Sequence, residues 1–242
     1  ASNPNNNQVL SISYNLLRNT YKLLGDAKKS SKAYLAASNY SVDLNDKLID
    51  YSNYLFNLNY LTDISLAKLS TEHLKYNDFF KNIKLYQHDF KPKEKIRIGY
   101  ISPDLRNHVV LNFSYTFFND YDKSVFEVYC YAYGQEDDYS ADIRSKVDNW
   151  RNITADSYAQ IAELIYKDNI DILVDLAGHT KNNLLPVLAY KPAPLQVSGI
   201  GYFNTTGLKT VDYYFTDIYC ENDGFNTQYF SEKMLILPQT QW

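Results

Sequence analysis

The sequence predicts an α/β protein in which an all-helical region precedes a doubly wound parallel sheet. From Val9 to about Tyr86, apolar residues recur at helical spacing and proline is absent. After residue 95, β-rich runs alternate with helix-length segments. Strands that alternate with helices form parallel sheets with helices on both faces. The polar hinge Lys91–Lys95 separates the two patterns, and we place the domains at 1–92 and 93–242.

The helical region is predicted to begin with a helical hairpin. Gly25–Asp26 ends the first helix, since glycine tolerates the left-handed conformation, and the second helix presents Tyr34 and Ala37 on one face. The hairpin resembles one tetratricopeptide unit, although such an array needs about three repeats for independent stability. Further helices are predicted over about Leu44–Leu58 and, from the N-cap candidate Ser65, to Leu85.

Five strands are predicted in the α/β region. They are Ile96–Ile101, Val125–Tyr131, Ile172–Leu176, Leu195–Ser198 and Tyr213–Phe215. Helical patterns between them cover about Ala141–Val147, Ser157–Lys167 and Asn183–Ala189. Because ligands of such sheets bind outside the carboxyl ends of the strands, the site is expected in the loops that begin at Ser102, Tyr133, Ala177 and Gly199.

Composition excludes several classes of protein. The 242 residues have a net charge of −4, which provides no basic surface for nucleic acid. No apolar run approaches the roughly 20 residues of a membrane span, and the N-terminus lacks the regions of a signal peptide. We therefore expect a cytoplasmic protein. Cys130 and Cys220 are far apart in the sequence and form no Cys/His cluster, which argues against a disulfide framework or a structural zinc site. The glycine motifs of dehydrogenases and NTPases are absent, which argues against both of these enzyme classes.

The first loop of the sheet contains a candidate proton-transfer pair. Asp104 and His108 follow the first strand at a spacing of four residues. Histidine is suited to accepting a proton near neutral pH, as when a hydroxyl attacks an electrophile. The alternative is structural, with Asp104 capping the next helix and His108 in its first turn.

The third and fourth loops contain groups suited to a sugar or a phosphate. His179 and Thr180 precede a predicted helix, whose N-terminus could hold an anion. The alternative is a structural turn with Thr180 as N-cap. In the fourth loop, Gly199, Gly201 and Gly207 allow close approach of a ligand, and Thr205 and Thr206 add hydroxyls. The alternative there is a glycine-rich connection between strands.

A metal site is not expected. Asp120–Asp122 has the D-x-D form, yet it precedes a strand and so belongs to the opposite end of the sheet from the predicted site. Glu136–Asp138 has no histidine or further carboxylate at a spacing that would complete a metal shell. We interpret both segments as solvated turns.

Five motifs carry a family resemblance. They are Ile96–Asp104 with Asn107 and His108, Phe126–Tyr131, Asp171–Thr180, Lys191–Ser198, and Gly201–Tyr202 with Thr205–Gly207. In order and spacing they resemble the O-GlcNAc transferase and SPINDLY-like proteins of glycosyltransferase family 41, from Tyr51 to the C-terminus. The resemblance implies a GT-B enzyme, of which this chain is the Rossmann-like N-terminal, acceptor-side half.

The resemblance also implies the reaction and its partners. It implies an inverting, metal-independent transfer of a sugar from a nucleotide donor, typically UDP-GlcNAc, to serine or threonine of a protein acceptor. No cofactor is implied. The expected partners are the acceptor protein or peptide, the nucleotide sugar and a C-terminal donor-binding domain, without nucleic acid or a membrane span.

Roles for single residues follow from the motif match. His108 is expected to orient or deprotonate the acceptor, with Asp104 supporting it. Gly201 and Tyr202 match the loop that meets the donor sugar. The remaining candidates for substrate or donor binding are Asn107, His179, Thr180, Thr205, Thr206 and Gly207.

Two departures from the family pattern matter. Tyr51 stands where the family often has a histidine, and the chain stops at Trp242, where the second Rossmann half is expected. That half supplies most nucleotide contacts, so we expect the 242 residues alone to be inactive or nearly so. The rival interpretation is a noncatalytic module that binds a protein or peptide.

Overall fold

The computed structural model describes residues 4–89, 92–221 and 225–240. Contacts divide the chain into two compact units. The first runs to Phe79 and includes His179–Asn182, and the second comprises Phe80–Gly178 and continues from Asn183. Lys91 of the predicted hinge and Trp242 lie outside the described residues. The domain limits 1–92 and 93–242 stay a prediction.

The first unit is helical, as predicted. Its helices are α1 (Pro4–Leu23), α2 (Ala27–Tyr40), α3 (Leu44–Leu58) and α4 (Leu66–Leu74), followed by a 3₁₀ helix (Lys75–Phe80). Ser65 caps α4 by accepting a hydrogen bond from Lys68 N. The predicted continuation of this helix to Leu85 is wrong, because the chain tightens into the 3₁₀ turn, where the side chain of Tyr76 is buried.

The hairpin of α1 and α2 has the predicted turn and buried face. Gly25 has φ +71°, which favours glycine, and Asp26 caps α2 by accepting a hydrogen bond of 2.9 Å from Lys29 N. Tyr34 and Ala37 are both buried, which confirms their place on one face of α2.

The second unit contains a seven-stranded parallel sheet. The strands are β1 (Ile96–Ser102), β2 (Phe126–Ala132), β3 (Asn149–Asn152), β4 (Ile172–Asp175), β5 (Leu195–Gly199), β6 (Tyr213–Asp217) and β7 (Lys233–Leu237). Their order is β3-β2-β1-β4-β5-β6-β7, and every neighbouring pair is parallel. The five predicted strands are confirmed, whereas β3 and β7 were not predicted.

Helices of the second unit connect these strands. They are α5 (Val109–Ser114), α6 (Thr116–Asn119), α7 (Asp138–Lys146), α8 (Tyr158–Lys167) and α9 (Leu185–Leu188), with a 3₁₀ helix at Phe225–Tyr229. Ser157 and Gln160 form a capping box that begins α8 where the sequence predicts it. Within the described residues, the helices are too short or too polar to cross a membrane.

The strand order places a crevice between β1 and β4. From β1 the chain moves outward to β2 and β3, then returns to β4 on the other side of β1 and continues outward to β7. Ligands of such sheets bind at this switch point, beyond the carboxyl ends of the strands. Leu105, Leu176 and Ile200, which follow β1, β4 and β5, are buried in one apolar cluster and hold the three loops together.

Candidate active site

The loop after β1 is fixed by hydrogen bonds to the first turn of α7. Within the loop, Asp104 N donates to Ser102 Oγ at 3.0 Å. Across to α7, Asn107 N donates to Asp137 Oδ2 at 2.8 Å, and Ser140 Oγ donates to Leu105 O at 2.7 Å. These bonds hold the predicted site residues Asp104, Asn107 and His108 in one defined loop.

Asp104 and His108 lie together at the carboxyl end of β1. Asp104 Oδ1 is 3.7 Å from His108 Nε2, and the side chains are 9% and 36% exposed. The alternative in which Asp104 caps the helix is wrong, because His108 is itself the N-cap of α5. Its Nδ1 accepts a hydrogen bond of 3.3 Å from Val110 N. In the neutral imidazole the proton therefore lies on Nε2, the nitrogen nearest Asp104.

Two carboxyl groups, those of Asp104 and Asp175, lie near the switch point. Burial raises the pKa of Asp104, and the nearby charges of His108 and Arg106 oppose that rise. Burial also raises the pKa of Asp175, at the end of β4, and the charge of Asp104 adds to this effect. The carboxyl ends of β1 and β4 therefore each carry a buried carboxyl group whose pKa is raised by burial.

Asp175 organises the loop after β4 and was not among the predicted site residues. Its buried carboxyl group accepts hydrogen bonds from Ala177 N (3.2 Å), Gly178 N (2.8 Å) and Ser198 Oγ (2.7 Å). An aspartate followed three residues later by glycine at a strand end is typical of such a turn. That signal could have revealed this residue in the sequence.

The loops after β4 and β5 pack closely against each other at two glycines, Gly178 and Gly201. Gly178 has φ +54°, and a Cβ built there would lie 2.3 Å from Tyr202 Cβ. A Cβ at Gly201 would lie 2.0 Å from Leu176 O. Tyr202 is buried, and its carbonyl oxygen accepts a hydrogen bond of 2.5 Å from the Tyr214 hydroxyl. Contact of Gly201 and Tyr202 with a donor sugar stays a prediction.

Thr205 and Thr206 are bonded within the protein. Thr205 Oγ1 donates to Glu232 Oε2 at 2.6 Å and accepts from Gly207 N at 3.1 Å. Thr206 donates to Glu232 Oε1 through its main-chain nitrogen, at 2.8 Å, and through its hydroxyl. Both threonines are fully buried, so these bonds favour a role in holding the loop. Binding of a ligand by Thr205, Thr206 and Gly207 stays a prediction.

His179 and Thr180 belong to the first unit. His179 is buried, its Nδ1 lies 2.5 Å from Ser52 Oγ, and its ring contacts those of Tyr76 and His73 edge to face. The expected helix N-terminus at Thr180 is wrong, because α9 begins only at Leu185 and Leu184 is its N-cap. The left-handed conformation of Asn182, at φ +61°, keeps this segment from joining the helix.

Tyr51 is part of the core of the first unit. Its hydroxyl donates to Glu72 O at 3.1 Å, and its ring packs against Tyr54, Tyr76 and Phe79. Burial raises the pKa of its hydroxyl, so this side chain stays neutral at physiological pH.

The described residues include no group of three or more His, Cys, Asp or Glu side chains placed to hold a metal ion. Asp122 of the D-x-D segment instead accepts hydrogen bonds from Ser124 in the turn before β2. The absence of a metal from the reaction stays a prediction.

The sequence of this chain is similar to those of known glycosyltransferases. A "Probable UDP-N-acetylglucosamine--peptide N-acetylglucosaminyltransferase SPINDLY" from Oryza sativa subsp. japonica is 36% identical over 197 residues, which cover 78% of this chain and 21% of the relative. A "UDP-N-acetylglucosamine--peptide N-acetylglucosaminyltransferase" from Caenorhabditis elegans is 33% identical over 152 residues, covering 61% and 13%.

The structure of a mutant Thermobaculum terrenum O-GlcNAc transferase superposes with a TM-score of 0.85 at 26% identity. The match covers 96% of this chain and 45% of that chain, so this chain spans less than half of the solved relative. The sequence model of Glycosyl transferase family 41 matches residues 62–242, which is most of the chain. Fold, motifs and relatives agree, and this chain belongs to glycosyl transferase family 41.

Proposed function

We propose that this chain is the acceptor-side part of a protein O-glycosyltransferase, the N-terminal half of a GT-B fold behind a tetratricopeptide-like helical region. The reaction is an inverting, metal-independent transfer of a sugar from a nucleotide donor, UDP-GlcNAc first among them, to serine or threonine of a protein in the cytoplasm. The single observation that carries this proposal is the Asp104–His108 pair at the switch point between β1 and β4.

The geometry of His108 favours the orienting role over the basic one. The lone pair of Nδ1 already accepts the hydrogen bond from Val110 N, so it is not free to take a proton from the acceptor. Nε2–H is left to donate to an oxygen of the substrate. Asp104 Oδ1 lies 3.7 Å from Nε2 and would support this orientation of the ring.

The proposal also depends on a donor-binding half outside this chain. Stabilising the leaving diphosphate is a large part of such catalysis. In the loops after β4 and β5, groups that could bind a phosphate instead form hydrogen bonds within the protein, to Asp175 and to Glu232. We therefore expect the 242 residues by themselves to bind UDP-GlcNAc weakly and to transfer no sugar.

The test is sugar transfer by the longest natural protein that contains this chain. His108→Ala removes one positioned hydrogen-bond donor and should lower kcat for transfer to an acceptor peptide by about a hundredfold while the far-UV spectrum stays unchanged. The matched control is His88→Ala, which removes a half-buried histidine of the same unit that bonds to Lys191 O. Equal turnover by the His108 variant and the parent protein would contradict the proposal.

A second candidate function is noncatalytic binding of a protein or peptide. The observation that favours it is the core packing of Tyr51, which fills the position where the family often has a histidine. Titration of the 242-residue chain and of the longer natural protein with UDP-GlcNAc and with UDP distinguishes the two functions. Binding and transfer by the longer protein alone would support the enzyme, and no binding by either would support the module.

A further inference from the structure

The second unit contains a groove that the proposed reaction does not use. It lies between α5–α6 and α7 and has a volume of about 540 Å³. Its lining residues are Leu111, Asn112, Tyr115, Asp138, Tyr139 and Asp142.

The groove is continuous with the loop that carries Asp104 and His108. Helix α5 begins directly after His108, and a rise of about 1.5 Å per residue places Asn112 about 6 Å along the helix from it. On the opposite wall, Asp138 directly follows Asp137, whose carboxylate holds Asn107 N. A chain lying in the groove would therefore reach the candidate active site within two or three residues.

The charged wall of the groove is acidic. The two charged residues that line the groove, Asp138 and Asp142, are both acidic. Hydrogen bonds from Lys146 and from the Tyr115 hydroxyl lower the pKa of Asp142, which is therefore ionised. In the described part of the chain, the Asp138 carboxylate accepts no hydrogen bond and forms no ion pair. It is an exposed anion that faces the groove without a cation of its own.

The uncharged groups of the groove suit an extended peptide. Asn112 is exposed, and its amide can donate to and accept from one peptide unit. Tyr139 is 51% exposed and offers a ring face beside Asp138. A carboxylate next to an aromatic face is a favourable environment for the head group of lysine or arginine.

We propose that this groove binds the segment of the acceptor protein next to the modified serine or threonine, and that it selects lysine or arginine in that segment. The proposal rests on the proposed function for the place of the reacting hydroxyl. Peptide binding can nevertheless be measured without any transfer of sugar, so the two proposals are tested separately.

The test is fluorescence anisotropy of the 242-residue chain with two labelled serine peptides that differ only in carrying lysine or glutamate beside the serine. The lysine peptide should bind more tightly. Asp138→Asn should weaken binding of the lysine peptide by about threefold to fivefold, and it should not weaken binding of the glutamate peptide, because repulsion between two carboxylates is then removed. The control Asp156→Asn makes the same change of charge at an exposed aspartate outside the groove, and it should leave both affinities unchanged.

A second variant tests the peptide main chain. Asn112→Ala should weaken the binding of both peptides to the same extent, because both have the main-chain peptide group that the Asn112 amide would bind. Equal affinity of the parent chain for the two peptides, absence of binding, or equal effects of Asp138→Asn and Asp156→Asn would overturn the proposal.

Comparison with the transfer assay separates the two proposals. The expected pattern of binding in a longer protein that transfers no sugar would support the groove and count against the proposed function. His108-dependent transfer without that pattern would overturn the groove alone.

Discussion

The carbonyl oxygen of Leu176 occupies the space that a side chain at residue 201 would need. A Cβ built on Gly201 lies 2.0 Å from this oxygen, and the Leu176 carbonyl carbon and Ala177 Cα lie within 3.1 Å. Backbone cannot yield as a flexible side chain does, so one of the two loops must move. We expect Gly201→Ala to lower the free energy of unfolding by about 3 kcal/mol or more, measured by urea denaturation.

Gly99→Ala is the matched control for this substitution. A Cβ at Gly99 would meet side-chain atoms and no backbone, the nearest being Tyr131 Cε2 at 3.0 Å. These contacts need a shift of only a few tenths of an ångström, far less than at Gly201, so the loss should be about 1 kcal/mol. Equal losses for the two variants would show that contact with Leu176 does not determine the requirement for glycine.

Single residues show where sequence reasoning reaches its limit. Asp104 and His108 could be paired in advance, because they are four residues apart in one loop after a strand. The bonds of Thr205 and Thr206 to Glu232 span 26 or 27 residues, and the contact of Gly201 with Leu176 joins two different loops. Pattern alone identifies the residue types in these loops, whereas the partner of each depends on how the loops pack.

Helix α4 carries a histidine that links stability to pH. His73 is fully buried, its Nδ1 contacts Leu69 O at 2.8 Å, and burial lowers its pKa to about 4. The unfolded chain takes up a proton near pH 6.5, whereas the folded chain does not until about pH 4. His73 therefore does not lower the free energy of unfolding well above pH 6.5, and it lowers that free energy progressively as the pH drops from 6.5 towards 4. Between pH 7 and pH 5 we expect a loss of about 2 kcal/mol from this residue.

The variant His73→Phe isolates this contribution, since it keeps an aromatic ring at the buried position. Urea denaturation at pH 7, 6 and 5 should show a smaller decline in the free energy of unfolding for the variant than for the parent chain. Other groups that titrate in this range are common to both proteins and cancel in the difference. Identical pH profiles would mean that His73 is protonated in the folded state well above pH 4.

Whole elements were predictable where their periodicity is local. β1 reads as a run of β-formers, and α3 has the bounds that its pattern predicts. β3 has the sequence Asn-Trp-Arg-Asn, which shows no such run. It is held by parallel pairing with β2 and by Glu136, which accepts hydrogen bonds from Trp150 Nε1 and Asn152 Nδ2. Its strand conformation therefore comes from tertiary contacts.

At the scale of the molecule, the sheet of the second unit presents an open apolar surface. A cavity of about 480 Å³ lies on one face of the sheet, and apolar side chains of five strands line it. They include Ile172 and Val174 of β4, Leu195 and Val197 of β5, and Phe215 of β6, with Phe117 of α6 beside them. Successive strand residues alternate between the two faces, so these positions share one surface. Exposed apolar surfaces of this kind bind hydrophobic probes and ligands.

Leu235 on the edge strand β7 tests whether this surface is accessible in solution. It lines the cavity and is 44% exposed, whereas its neighbour Ile236, 39% exposed, does not line it. We expect the chain to bind an environment-sensitive naphthalene sulfonate dye, and Leu235→Lys to lower the dye fluorescence about twofold, because the charged head group disrupts the apolar contact. Ile236→Lys makes the same change on the same strand and should leave the fluorescence unchanged. Equal effects of the two variants would mean that the dye binds elsewhere and that this face is covered in solution.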